Sequence, residues 1–474
     1  MNATRPINKE WIAALGASGL FIAAGFITQD FILTTWLIFF AVAAVVTYCL
    51  ASVRTRLGLL LFVATMSLFL ISRPVFDVFS DFAAHDRILY TLDRGLVANR
   101  MILMALSGLF LGQFFYERQL SRKEEQRTGG IFSEEQRVWI SRIAFLFFLV
   151  GTTAVLMEHA EKILFRQTNS YEALYSQFRT SLPFVVIGFA EVSTAFLVLF
   201  LAVSRSVRLS FLALAVYVAS SAPLLLVGVR AEFSRAMLFA LFLAFTLVKD
   251  RLSLSKKRKL RLAAGALILG SLLLASLYTI GLQRTGQERL DPTYPFLLDF
   301  VYGQGVSYQT LTAGQEMIER PPFRDKDYAF GPFLDQYVND LPGNPYSLEY
   351  IEKGDSMAAD LGYYLLGEAE YLKGRGMGSS FIIEMYSDFG HGGVLLFSLF
   401  LGALLGSLSH LSWRNVLIDA VKIRFLIDIF YIPRAQATRF LLNILAPKFI
   451  LPILGTIVLS RVLLLLQEKK REQQ

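Results

Sequence analysis

The chain has 474 residues, 54% hydrophobic and only 18% charged, with a mean hydropathy of +0.50. Soluble domains carry roughly 25% charged residues, so the composition excludes one and indicates a polytopic membrane protein. The net charge of +8 is unevenly distributed and needs no nucleic acid to explain it, and a single cysteine, Cys49, excludes a disulfide within the chain.

Apolar runs near 11–28, 31–53, 57–72, 99–116, 139–157, 181–203, 209–227, 234–248, 262–282, 380–410, 415–432 and 440–466 predict an all-α fold of about twelve transmembrane helices. The first run is too long for the apolar region of a cleavable leader and passes almost directly into the second. The eleventh is the weakest, because Asp419, Lys422, Arg424 and Asp428 interrupt it. If it does not cross fully, the number of spans is odd.

Orientation follows from the Lys/Arg bias of short loops. Arg54 and Arg56, the 117–137 linker, Arg205 and Arg208, the 249–261 stretch, Arg414, Lys422 and 469–471 fall on one side. That side is expected to be cytoplasmic, with both termini on it.

The chain then divides into helices one to nine over 1–282, a large external loop over 283–379, and the last helices with a cytoplasmic tail over 380–474. The loop holds eight Lys/Arg against fifteen Asp/Glu, a net of −7, with seven of the 14 prolines and ten of the 19 tyrosines. It has no long apolar run, yet is too aromatic for a disordered linker. A folded cap with short helices, such as one over 307–319, is the expectation. Tyrosine faces suit sugars, and Tyr302, Tyr363 and Tyr386 are the candidate glycan contacts. A purely structural lid is the alternative.

Two stretches share the spelling Arg-Ala-x-x-x-Arg: RAEFSR at 230–235 and RAQATR at 434–439. Each adjoins the end of an apolar run, and both fall on the side of the large loop. A spacing of five points two helical side chains apart, so each pair is expected to straddle a bend, marked by Gly228 and Pro433. Arginine stays charged and grips phosphate with a planar fork. Arg230, Arg235, Arg434 and Arg439, joined by Arg284, therefore suit a lipid-linked diphosphate. Snorkelling to headgroups is the alternative.

A third stretch, GRGMGSSFIIEMYSDFGHGG at 374–393, opens the tenth run. Ser380, Glu384 and Asp388 recur every four residues and His391 follows, one polar stripe on a continuous helix. Gly390, Gly392 and Gly393 allow a break or a close backbone approach. A carboxylate at the lip of a bilayer is costly and by default functional. The alternative is a helix cap with an arginine counter-ion.

The spacing Gly376-x-Gly378-x-Ser380-x-x-x-Glu384-x-Tyr386-x-x-Phe389-Gly390-x-x-Gly393 resembles the segment after the large periplasmic loop of Wzy-type O-antigen and oligosaccharide repeat-unit polymerases. VGVRAEFSR is similar to an earlier Gly-x-Arg element of that family, and IPRAQATR to its late arginine turn. The resemblance covers roughly 228–440; the first two hundred residues match only in hydropathy.

It implies a GT-C-like membrane glycosyltransferase that works without a metal or other cofactor. The growing glycan on undecaprenyl diphosphate would be donor, a lipid-linked repeat unit acceptor, and a chain-length regulator a partner. Glu384 is the candidate base, with Asp388 or His391 as rival. Ligases share the topology and often use a loop histidine, so His391 keeps that reading open. A metal-dependent transferase would draw on Asp77, Asp81, His85 and Asp86. A flippase is the non-enzymatic reading, with charges expected deep within the spans.

Overall fold

The computed structural model describes residues 9–79, 91–120, 131–251, 295–339, 344–413 and 415–473, with single residues at 278 and 341. The predicted span at 262–282 (Tyr278 aside), Arg284, Asp81, His85 and Asp86 lie outside the described residues. Every described element is helical. In chain order these are α1 (Lys9–Ile27), α2 (Phe31–Ala51), α3 (Val53–Phe79), α4 (Leu92–Arg118), α5 (Glu134–Thr168), α6 (Phe184–Val203), α7 (Val207–Val227) and α8 (Ala231–Arg251). Six shorter helices follow: α9 (Phe296–Gln304), α10 (Tyr308–Met317), α11 (Gly331–Tyr337), α12 (Leu348–Lys353), α13 (Met357–Leu366) and α14 (Glu368–Leu372). The last three are α15 (Phe381–Leu408), α16 (Val416–Asp428) and α17 (Arg439–Glu472).

Among the described residues, nine helices are long and apolar enough to cross a membrane: α2 to α8, α15 and α17. They coincide with the second to eighth, tenth and twelfth apolar runs. The first run forms α1, whose apolar part, Ile12–Ile27, is shorter. The eleventh forms α16, only 13 residues long. At about 1.5 Å per residue, that falls short of a hydrocarbon core about 30 Å thick. Of its interrupting charges, Asp419 is buried and accepts from the Ser412 N–H and hydroxyl, both at 2.9 Å, and a 3₁₀ turn over Ile429–Arg434 follows the helix.

The chain forms two compact units. One comprises Met1–Glu124, Arg289–His410 and Tyr431–Arg439. Its spine is the α4–α15 pair. Gly108 and Gly112 on α4 and Gly402 and Gly406 on α15 give each helix a Gly-x-x-x-Gly face. Small residues let membrane helices approach to backbone contact. A Cβ on Gly108 would fall 2.6 Å from the Leu395 carbonyl oxygen and 2.7 Å from Ser398 Cβ. Gly112 and Gly402 likewise abut the backbones of Leu399 and Leu109.

Polar groups fasten the other helices to this spine. Arg100 on α4 donates to the carbonyl oxygens of Gly25 (3.0 Å) and Thr28 (3.1 Å), closing the C-terminus of α1. Asn99 donates to the Thr34 and Thr35 hydroxyls of α2 and accepts from the Tyr308 hydroxyl at 2.9 Å, so α10 is tied into the bundle.

The other unit comprises Glu125–Glu288, Leu411–Phe430 and Phe440–Gln474. Ser133 caps α5, accepting from Gln136 N–H, and Glu134 and Glu135 follow in its positive first turn. Gly151 lets α5 meet α6 at Phe189 and Ser193. Trp139 on α5 donates to Gln467 on α17 at 3.2 Å, and Arg251 at the end of α8 stacks 4.0 Å over Trp413.

Candidate functional site

The site grows from the start of α15. Ser380 caps this helix in extended geometry and accepts from Ile382 N–H. One turn on, Glu384 is fully buried, at 0% exposure. Its Oε1 accepts from the Ser379 hydroxyl at 2.5 Å, and its Oε2 from the Ala437 N–H at 2.6 Å. Asp388, another turn on and partly exposed, accepts from the backbone N–H groups of Ala329 (2.7 Å) and Tyr328 (3.3 Å).

At Gly390 the helix breaks, with φ +61° and ψ −158°, a conformation that suits glycine. The break that the glycines allow is therefore used. It also limits the stripe, which needs a continuous helix: Glu384 and Asp388 precede the break, and His391 follows it. His391 meets Phe26 and Tyr386 edge-on, each with ring centroids 5.0 Å away.

Ala437 belongs to the second arginine stretch. Chain 429–434 is a 3₁₀ turn containing Pro433, and Arg439 opens α17, so the pair straddles a bend as its spacing predicts. Arg434 lies 5.5 Å over the Phe69 ring and donates to Gln304 Oε1 at 3.2 Å. Phe69 sits in a π-helical turn, Ser67–Ile71, that interrupts α3, and it also meets Tyr431 edge-on. Arg439 is exposed. Among the described residues, no carboxylate forms an ion pair with Arg434 or Arg439.

The first arginine stretch belongs to the second unit. Gly228, at φ +91°, ends α7 in the left-handed region, Arg230 precedes α8, and Arg235 lies within it. Arg235 pairs with Glu232, and its Nη1 lies 3.6 Å from Asp428 Oδ1. Asp428 also accepts from Arg424 and Asn443, both at 2.8 Å. Here the acids of the same unit already engage the arginine.

The cap contains the predicted short helix, as α10. Four of its nine described tyrosines are internal. Tyr302 is 1% exposed, under Arg73 (4.7 Å) and against Phe76 (5.9 Å), so its ring offers no face to solvent. Tyr308, Tyr328 and Tyr371 are buried too, their hydroxyls donating to Asn99, Asp360 and the Pro345 carbonyl oxygen. Satisfied hydroxyls let tyrosine act as core. Tyr363 and Tyr386 are partly exposed.

A buried ion pair organises this cap. Lys326 Nζ donates to Asp360 at 2.9 Å and to the carbonyl oxygens of Ile351 (2.6 Å) and Gly354 (2.8 Å). Burial lifts Asp360 to about 6, with Lys326 and the Tyr328 hydroxyl pulling the other way.

Side-chain patterns alone missed Ser379, Phe69, Gln304 and Thr438. Ser379, adjoining the capping Ser380, was the nearest signal.

A family profile described as O-antigen polysaccharide polymerase Wzy matches residues 12–467. The chain belongs to this family. No curated protein and no solved structure matches it. The profile extends the likeness from 228–440 to nearly the whole chain, including helices that resemble the family only in hydropathy. As a Wzy-family member the protein is a multi-pass inner-membrane polymerase that joins lipid-linked repeat units into O-antigen. This favours the polymerase over the ligase and flippase readings.

Proposed function

We propose that this Wzy-family polymerase transfers the growing glycan from undecaprenyl diphosphate to a new lipid-linked repeat unit, on the outer face of the membrane, with both termini cytoplasmic. An acceptor hydroxyl oxygen bonds to the anomeric carbon. The bond from that carbon to the diphosphate oxygen breaks, and undecaprenyl diphosphate leaves with the electron pair. The hydroxyl proton passes to Glu384. Arg434 and Arg439 hold the leaving diphosphate, supplying the charge that a metal would otherwise supply. Partly exposed Tyr386 and Tyr363 offer faces to the glycan, and a chain-length regulator is the expected partner.

One observation carries this reading. The buried Glu384 carboxylate is hydrogen-bonded to the backbone of the turn that bears Arg434 and Arg439. An acid–base group and an anion grip thus share one short stretch of structure. The Ser379 hydroxyl on Glu384 is the movable partner, and the acceptor hydroxyl takes its position during transfer. A base must come within hydrogen-bond reach of the proton it removes, and such contacts often tighten only with substrate.

Glu384→Gln separates the two duties of this side chain. The amide oxygen still accepts from Ala437 N–H, but the basicity is gone. The purified Gln variant is expected to bind lipid-linked donor and form no polymer, while Glu384→Ala loses binding as well. Polymer at near wild-type rate from the Gln variant, with His391→Ala or Asp388→Asn inactive, would move the base to that residue.

A further inference from the structure

The cap stretch 326–331, KDYAFG, takes no part in the chemistry above, yet Lys326, Tyr328 and Ala329 within it are each held by buried partners. Lys326 and the Tyr328 hydroxyl fix it to Asp360. The N–H of Ala329 donates to Asp388, and its carbonyl oxygen accepts from the Thr438 hydroxyl at 2.8 Å. Ala329 and Tyr328 are 0% exposed and Thr438 is 2% exposed. Buried backbone groups need partners, and a loop can find them within itself. These partners come instead from α15, one turn beyond Glu384, and from the residue before Arg439. Two rungs therefore run side by side. One joins Glu384 to Ala437, and the other joins Asp388 to Thr438 through Ala329.

We propose that Asp388 and Thr438 are positioning residues that fix the cap at one spacing from the arginine turn, so that a lipid-linked glycan is measured between its sugars on the cap and its diphosphate on Arg434 and Arg439. The proposal rests on the reading that this turn grips the diphosphate. Its physical basis is that a reacting centre held at two points loses rate steeply when the points shift. A displacement of about 1 Å can cost roughly 100-fold. A fixed spacing also makes the enzyme sensitive to how much glycan the lipid carries.

The test compares two lipids on the purified full-length chain in liposomes. One is the native undecaprenyl-diphosphate repeat unit, isolated from cells lacking this protein. The other is undecaprenyl diphosphate carrying a single sugar. The readout is the ratio of kcat/KM for the full unit over the truncated one. Thr438→Val should lower that ratio roughly 10- to 100-fold, acting mainly on the full unit, and Thr438→Ser should restore it. Thr438→Ala serves if the Val variant does not fold. Asp388→Asn keeps one acceptor for Ala329 N–H and should fall between.

An unchanged ratio in Thr438→Val, with Arg434→Lys impaired on both lipids, overturns the proposal and leaves the diphosphate grip standing. A normal Arg434→Lys enzyme removes the grip, and the proposal falls with it. Asp388→Asn inactive on both lipids with an unchanged ratio would make Asp388 the proton acceptor and end its positioning role.

Discussion

The two Arg-Ala-x-x-x-Arg stretches share a spelling and differ in their electrostatics. In the first, the third residue is Glu232, one helical turn before Arg235 and paired with it, and Asp428 approaches Arg235 as well. In the second, the third residue is Gln436, which donates to the Ser356 hydroxyl at 3.4 Å, and Arg434 rests on a phenyl ring and an amide. The first stretch thus carries an acid of its own that pairs with Arg235, whereas the second carries none, and the carboxylate that meets its backbone, Glu384, accepts from the Ala437 N–H instead of an arginine. An arginine whose partners are neutral retains its charge for a ligand, whereas a paired one must first give up its acid. Motif spacing finds both stretches; the residue between the arginines tells them apart.

The largest effect should come from Arg434→Lys. Lysine keeps the charge but loses the planar fork and its fit over Phe69. Losing one preorganised contact to the leaving diphosphate should cost on the order of 2–4 kcal/mol of transition-state stabilisation, or ~30- to 1,000-fold in rate. The check is polymer formation per mole of purified protein. A normal rate at normal expression would erase the contrast between the two turns.

A smaller effect should follow Gln436→Glu, which rewrites the second stretch in the manner of the first. Glutamate there stands three residues before Arg439, as Glu232 stands before Arg235. It would compete with the diphosphate for the turn's charge, and a charge-assisted contact shared with a partly exposed acid should weaken binding by on the order of 1 kcal/mol, about fivefold. Donor affinity is the measurement, at low and high salt, because added salt should partly restore it. Unchanged affinity at low salt would mean that the absence of an acid is incidental.

Much of this was legible before the fold. Nine of the apolar runs form, among the described residues, helices long and apolar enough to cross a membrane, Gly390 broke α15, and Gly228 and Pro433 marked the two arginine turns. The residues that escaped did so for identifiable reasons. Glu384 finds its partner in a backbone N–H 53 residues away, and backbone donors carry no sequence signal. Composition counted the tyrosines of the cap but not their internal hydroxyl partners, so Tyr302 read as surface when it is core. His391 is not bound to the stripe, because the stripe needs a continuous helix and the break at Gly390 precedes it. The Gly-x-x-x-Gly faces of α4 and α15 were in plain view; their meaning required knowing that those two helices pair.

The smallest effect is expected at Arg235→Lys, and it tests the comparison from the other side. Arg235 is about one-third exposed and Glu232 half exposed, so their pair should contribute only on the order of 0.2–1 kcal/mol. A lysine ammonium at 235 can still meet Glu232, three residues away on the same helix, and remains near Asp428. Stability and polymerisation should therefore stay within about twofold of wild type, since a few tenths of a kcal/mol is all that changes hands. Thermal unfolding of the detergent-purified chain and the same polymer assay measure both. If Arg235→Lys instead fails as badly as Arg434→Lys, Arg235 must leave its acids for the diphosphate during the reaction. The two stretches would then be equivalent in function, and the Glu232 pairing would describe only the resting enzyme.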